Sequence, residues 1–273
     1  MIEQNLKFKS YDGTELSGTL LKADKEKAAL VFVHGITSSK DELGFHSDYA
    51  SFLAENGITS LRFDYRFHGG KNEGNTKLEN LSLCGIVNDI DAAFSTLKNN
   101  VDNKTEAFFI VGTSFGGGLS AYWVDATNKS EIRKIVLNAP VINYEDDVLE
   151  RNRLIDNGLL SFRAQKQLKS KGFVESSDIH FGSGLINELK YVNGINALQN
   201  LGSRIVIFHG NDDDDVPLTS SKKYKSSETQ LEIIPKVGHG FGVENDEDLN
   251  FPETKEIHKS IYEKALKIIE ATL

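Results

Sequence analysis

A serine among glycines, a run of aspartates and a glycine-flanked histidine are the residues of this chain that could do chemistry together. Ser114 lies in VGTSFGGGLS, residues 111–120, between Gly112 and Gly116 in the pattern Gly-x-Ser-x-Gly. A serine hydroxyl attacks a carbonyl only when a base removes its proton. That base needs a third group to orient it and to stabilise its cation. Seven histidines are available. His239, in PKVGHGFG, has glycine on both sides, which suits a loop where its ring can swing over a sheet edge. HGNDDDDVP offers four aspartates, Asp212 to Asp215, as the third group. The chemistry of such a trio is acyl transfer to water.

The five-residue serine pattern is common by chance, so its meaning depends on the elements that carry it. FFIVG, just before Ser114, is a continuous apolar run, as a parallel strand covered on both faces requires. FGGGLSAYWVDATN after it is helical in character. The serine therefore falls at the carboxyl end of a strand, where open α/β sheets bind ligands. The same alternation runs along the chain. LKFKSYDGTELSGTLL forms a hairpin turning at Asp12-Gly13, AALVFVHG and ITSLRFDY are strands, and FHSDYASFLAENG is a helix with Gly57 as C-cap. LENLSLCGIVNDIDAAFSTLKNN places Leu83, Ile86, Ile90, Phe94 and Leu97 at helical spacing. IRKIVLNAP and RIVIFHG are further strands. A short helix around SSKKYKSS, the strand TQLEIIPKV and a closing helix KEIHKSIYEKALKIIEATL complete the chain. Strands alternating with helices predict a mostly parallel sheet with helices on both faces. The aspartate run then follows one strand, and His239 follows the last.

At 273 residues the chain suits one large α/β domain, 1–273. Its 39% hydrophobic and 26% charged residues are those of an ordinary soluble globular protein. A net charge of −9 without a clustered Lys/Arg stripe argues against nucleic-acid binding. No basic segment followed by an apolar core opens the chain, and no apolar run approaches the roughly 20 residues that span a bilayer. A cytoplasmic protein without a membrane span is expected. The single Cys84 forms no internal disulfide, and in LSLCGIVNDI it is a small apolar filler rather than a nucleophile. No GK[ST] follows the glycine cluster, and the aspartate run lacks a 12-residue loop closed by glutamate. Neither cofactor nor metal is expected. The oligomeric state is open, with a homodimer among the arrangements.

Over nearly its whole length the chain resembles the α/β-hydrolase superfamily. That resemblance implies an α/β-hydrolase fold, with a mostly parallel eight-stranded sheet flanked by helices, a small cap insertion and the chain order serine, acid, histidine. The family's HG-x-x-D-x-x-VP matches HGNDDDDVP with the acid at Asp213, and Asp215 is the next choice. A catalytic Ser114, Asp213 and His239 are thus implied. Gly112 and Gly116 allow a sharp strand-to-helix turn close to neighbouring strands. The amide of Phe115, at the helix N-terminus, is one oxyanion donor. By resemblance the second is the amide of Ile36, in HGITSSK. His34 is assigned to holding that loop by hydrogen bonds.

From about Asn143 to Asn196 an insertion follows LNAP, where the family carries its cap. It begins with NYEDDVLERNRLIDNG, expected to be helical. A cap excludes water and supplies most of an acyl pocket. Tyr144, Leu149, Phe162, Phe173, Phe181 and Tyr191 are candidates for a hydrophobic slot, or for packing the cap onto the domain. His180 is placed on the cap surface. SLRFDYRFHGGKNEGNTKLENLSLC resembles bacterial cinnamoyl (feruloyl) esterases in its RFD-aromatic strand, HG turn and Gly-containing loop. FVHGITSSKDE resembles their HG-aromatic-T loop, with Ile36 replacing the aromatic. The expectation is a serine carboxylesterase acting on a small-molecule ester, short-chain or hydroxycinnamoyl. VINYEDDVLER and HFGSGLINELK resemble acyl-protein thioesterases of the bacterial luminescence type, which makes a thioesterase or acyltransferase the alternative. A non-catalytic binding protein on the same fold is the second.

Overall fold

The computed structural model describes residues 1–69, 77–176, 179–192 and 194–273. The chain opens with the hairpin of β1 (Ile2–Lys9) and β2 (Glu15–Lys22). Gly13 takes φ 85° in its turn, and the Asp12 carboxylate accepts the Thr14 N–H at 3.1 Å. Then come β3 (Ala28–Val33), α1 (Phe45–Glu55), β4 (Ile58–Asp64), α2 (Leu83–Asn100), β5 (Phe108–Thr113), α3 (Phe115–Ala126) and β6 (Ile132–Asn138). Gly57, just past α1, has φ 86°, the left-handed backbone of a helix stop.

Between β6 and the next long helix run β7 (Ile155–Asp156), β8 (Leu159–Leu160), α4 (Phe162–Lys171), β9 (Phe173–Ser176), β10 (Ile179–Gly182) and α5 (Ser183–Leu189). The chain returns through α6 (Gly194–Leu201), β11 (Ile205–Gly210), α7 (Leu218–Tyr224), β12 (Gln230–Ile234) and α8 (Pro252–Glu270). The sheet has eight strands in the order β1-β2-β4-β3-β5-β6-β11-β12. β1 and β2 are antiparallel, and the pairs from β4 to β12 are parallel.

Every residue of β3, β4, β5 and β11 is buried, because helices cover both faces. Side chains of a strand alternate in direction, and the apolar residues sort accordingly. Ala29, Val31 and Val33 of β3 join one core with α2 and α3, while Ala28, Leu30 and Phe32 join the other with α1 and α8. Arg66, after β4, ties the open edge to this body. Its guanidinium donates to both oxygens of the fully buried Asp89, at 2.9 and 2.7 Å, and to Asp12 at 2.9 Å. Gly85 on α2 leaves room for it, since a Cβ there would lie 2.8 Å from Arg66 Nε.

The segment from 143 differs from the helical expectation. Its helix is a π turn, Glu145–Glu150, followed by turns and the short β7–β8 pair. The Asn143 side-chain oxygen accepts the N–H of Glu145 at 3.2 Å and Asp146 at 3.4 Å. Leu154 N–H then reaches back five residues to Leu149 O at 2.8 Å. Such local side-chain bonds compete with regular helix formation. The end of the 143–196 span already lies in α6, which packs on α3.

Candidate active site

Ser114 stands between β5 and α3 with φ 52° and ψ −123°, a backbone few residues other than glycine adopt. The surroundings over-determine it. Its N–H donates to Asn138 O at 2.9 Å, and its carbonyl accepts the N–H of Gly117 and of Val141, each at 2.9 Å. The glycines around it are sterically required. A Cβ on Gly112 would lie 2.5 Å from Ser120 Oγ, and one on Gly116 would collide with the His34 carbonyl.

Three side chains from three loops meet at this turn. His239 Nε2 lies 2.8 Å from Ser114 Oγ, and His239 Nδ1 lies 2.8 Å from Asp213 Oδ2. An ionised carboxylate only accepts, so Nδ1 carries the proton and Nε2 is free to receive one from the serine. Asp213 follows β11 and is buried. Its other oxygen accepts the backbone N–H of Asp215 at 2.9 Å and of Val216 at 2.8 Å. His209, fully buried, brings Nε2 to 3.3 Å of Oδ2. Burial alone would raise the Asp213 pKa. Hydrogen bonds from His209 and His239 outweigh it and hold the carboxyl well below the usual carboxylate range. Burial likewise lowers the His239 pKa, but the hydrogen bond and charge of Asp213 leave it raised overall.

The loop after β3 forms the opposite wall. His34 is fully buried and stacks on the Tyr65 ring at 4.0 Å. Its Nδ1 lies 2.7 Å from Gly35 O, and Tyr65 OH donates to the same oxygen at 3.0 Å. This is the loop-holding arrangement expected of His34. Thr37 N–H donates to His68 Nε2 at 3.1 Å, while His68 Nδ1 donates to Arg66 O at 3.0 Å. Burial pushes the His68 pKa down to about 4, which keeps Nε2 an acceptor at neutral pH. Gly35 N–H goes to Glu42.

A cavity of about 570 Å³ opens beside Ser114 and is lined by Ile36 and Phe115 as well. Val141, Val148, Ile179 and Val216 supply apolar wall, and Asp147, Arg151 and Asn152 are polar groups among them. None of the six slot candidates lines it. Phe162 and Tyr191 are 84% and 83% exposed, while Leu149 and Phe181 are fully buried in the core. Tyr144 is buried too; its OH donates to Phe115 O at 2.6 Å, so it braces the turn rather than facing a ligand. Phe173 stacks on His180 at 4.4 Å, and His180 is partly exposed as placed. The structure thus brings together Ser114, Asp213, His239, Ile36 and Phe115. Glu42, His68 and His209 escaped the sequence reading, although His68 opens a His-Gly pair after β4 and His209 opens one that closes β11. The Gly-containing loop of the esterase-like stretch falls on 70–76, outside the described residues.

A mostly parallel eight-stranded sheet with serine, acid and histidine presented in that order at its carboxyl edge makes the chain an α/β hydrolase. The model of the serine aminopeptidase family S33 matches residues 24–178, more than half of the chain, and the chain belongs to that family. YfhR of Escherichia coli (strain K12) is 24% identical over 146 residues, covering 52% of this chain and 48% of YfhR. The chain thus spans about half the length of the curated relatives it matches. Est1E from Butyrivibrio proteoclasticus, solved with ferulic acid bound, superposes with a TM-score of 0.75 at 17% identity, over 96% of this chain and 98% of Est1E. GrgF from Penicillium sp. sh18 gives 0.70 at 18% identity, over 100% and 99%. At such identities the likeness is one of fold. No described helix is long and apolar enough to cross a membrane.

Proposed function

We propose that this chain is a serine esterase that cleaves small carboxylic esters through an acyl-enzyme. The observation that carries this is the pair of 2.8 Å contacts linking Ser114, His239 and Asp213 at the mouth of a cavity. His239 Nε2 takes the Ser114 proton as Oγ attacks the carbonyl carbon. The oxyanion accepts the amides of Phe115, first residue of α3, and of Ile36. The flanking amides of Gly35 and Thr37 are committed to Glu42 and His68, which favours Ile36 as the loop's donor. Asp213 stabilises the imidazolium, and His239 returns the proton to the departing alkoxide. Water then repeats the sequence on the acyl-enzyme, restoring Ser114.

The segment 143–196 acts as a small cap and supplies Val148, Arg151, Asn152 and Ile179 to the acyl cavity. A volume of about 570 Å³ lies within the ordinary range of small-ligand sites and admits short acyl or hydroxycinnamoyl groups. The likeness to ferulic-acid-bound Est1E is compatible with the second class. The test is fluorophosphonate labelling together with a panel of p-nitrophenyl esters of increasing chain length, methyl ferulate, acyl-CoA thioesters and p-nitroanilides. Turnover of oxygen esters above the rest supports the proposal. Preference for thioesters moves the chain to the thioesterase reading, preference for anilides to a peptidase. An absence of both labelling and turnover rejects catalysis by Ser114.

A further inference from the structure

Three successive residues in the loop after β3, Glu42, Leu43 and Gly44, have φ of 45°, 51° and 95°. Left-handed backbone is routine for glycine and unfavourable for glutamate and leucine. Leu43 is 61% exposed, so packing of its own side chain does not account for the conformation. What the turn accomplishes is the return of the Glu42 carboxylate beneath the preceding residues. One oxygen accepts Gly35 N–H, and the other accepts the Ser38 hydroxyl at 2.7 Å. These two anchors bracket Ile36. The contact is layered against the nucleophile as well: a Cβ on Gly35 would sit 3.2 Å from both Glu42 Oε1 and Ser114 Cβ. The outer end of the loop is fixed separately, with Lys40 N–H on Asp64 at 2.7 Å and Arg62 on Asp41 at 2.7 Å. The strained turn follows this anchored stretch, and its product is a carboxylate folded back onto the inside of the loop.

We infer that Glu42 is a positioning residue of the reaction: its carboxylate preforms the oxyanion loop by holding Gly35 and Ser38 so that Ile36 N–H meets a carbonyl bound at Ser114. The inference rests on the esterase reading above. Preorganised donors stabilise a transition state because they need not reorient as charge develops. An error of loop position should therefore appear in the chemical step and not in ground-state binding.

The test compares Glu42→Ala and Glu42→Gln for kcat and KM on p-nitrophenyl butyrate and for the rate of fluorophosphonate labelling. Alanine leaves two donors without their acceptor, and kcat should fall about 10²-fold, the size of a lost oxyanion donor. KM should move by less than about threefold, since the interaction is made in the transition state only. Labelling should slow in parallel. Glutamine retains an acceptor oxygen for Gly35 N–H and should restore kcat to within about tenfold of the parent. Should the alanine variant not fold, Ser38→Ala removes one anchor and should lower kcat severalfold at unchanged KM. Parental kcat in the folded variants, a change confined to KM, or glutamine no better than alanine would each overturn the inference. Ser114→Ala is run alongside. If it retains turnover, the esterase reading fails; if it is dead while the Glu42 variants are normal, only the role of Glu42 falls.

Discussion

Along β5, Phe108 and Ile110 enter one core and Phe109 and Val111 the other, a strict alternation set by the strand itself. Between β6 and α6 the large apolar residues follow no such rule: Phe181 is fully buried, Phe162 is 84% exposed, and the two lie in one segment. The sheet places residues by backbone geometry, and its loops inherit that precision. Ser114, Asp213 and His239 each follow a sheet strand, and they meet at hydrogen-bond distance although 125 positions separate the serine from the histidine. The segment places residues by local turns and by contact with the body. The hydrogen-bonded trio belongs to the first region, and the shape of the cavity beside Ser114 owes much to the second.

The largest effect expected on the sheet side is that of Ser114→Ala. If Ser114 is the nucleophile, kcat on p-nitrophenyl butyrate should fall by roughly 10⁵–10⁶, as for the serine of catalytic-triad enzymes. Wild-type turnover in this variant would separate the geometry from the chemistry altogether. Asp213→Asn comes next, with a loss of about 10⁴ because an amide selects the wrong imidazole tautomer. Asp215→Asn keeps its backbone N–H on Asp213 and should lose less than about tenfold, its carboxylate being exposed. Equal losses would mean that the acid is not fixed by its place after β11. The pH profile gives an independent view. His239 acts as a base only when neutral, and its pKa lies above the ordinary 6.5. Activity should therefore rise with pH through a value above 6.5 and be lost below it. A limb at or under 6.5 would mean that Asp213 does not support the imidazolium.

Glycine to alanine should have opposite signs in the two regions. At Gly116 the added carbon meets the His34 and Val33 carbonyls, which β3 cannot move aside. A cost of about 3 kcal/mol is expected, or roughly 6–12 °C in Tm for a chain of this size. At Gly184, in α5, nothing lies within 4 Å of the same carbon. Alanine there should stabilise by about 0.5 kcal/mol, through the unfolded chain and helix propensity. Thermal unfolding of the two variants decides. A neutral Gly116→Ala would show that the serine turn is looser than its contacts imply.

The same contrast governs what could be read from the sequence. The apolar runs of β3 and β5 and the glycines around Ser114 have local causes, so strand, turn and helix were legible together. Among four successive aspartates only a family template singled out Asp213, because the distinction lies in the backbone amides of Asp215 and Val216 that hold it. Glu42 carried no signal, since its place depends on left-handed backbone in a polar loop. Tyr144 was legible as a large aromatic but not as a brace, because its partner, Phe115 O, belongs to another element. The π turn at Glu145–Glu150 arises from side-chain bonds to Asn143 that no periodicity announces.

The smallest effects probe the segment itself. Val148 lines the cavity, and Val148→Ala should weaken kcat/KM for butyrate or longer esters by about tenfold, the usual worth of a methylene or two in a pocket. Phe162 and Tyr191 lie outside that cavity and are exposed, so Phe162→Ala and Tyr191→Ala should change kcat/KM by no more than about twofold. The comparison across chain lengths is the sharper measurement. If the segment is a fixed wall, Val148→Ala should lower kcat/KM more for butyrate and longer chains than for acetate, shifting selectivity toward shorter acyl groups, while Phe162→Ala leaves the whole series parallel to wild type. If Phe162→Ala instead penalises long acyl chains selectively, that ring must reach the substrate, which from its present position requires α4 to move toward Ser114. The segment would then be a closing element in the working enzyme, and the division between a precise sheet and a passive wall would give way to one between a fixed and a moving part.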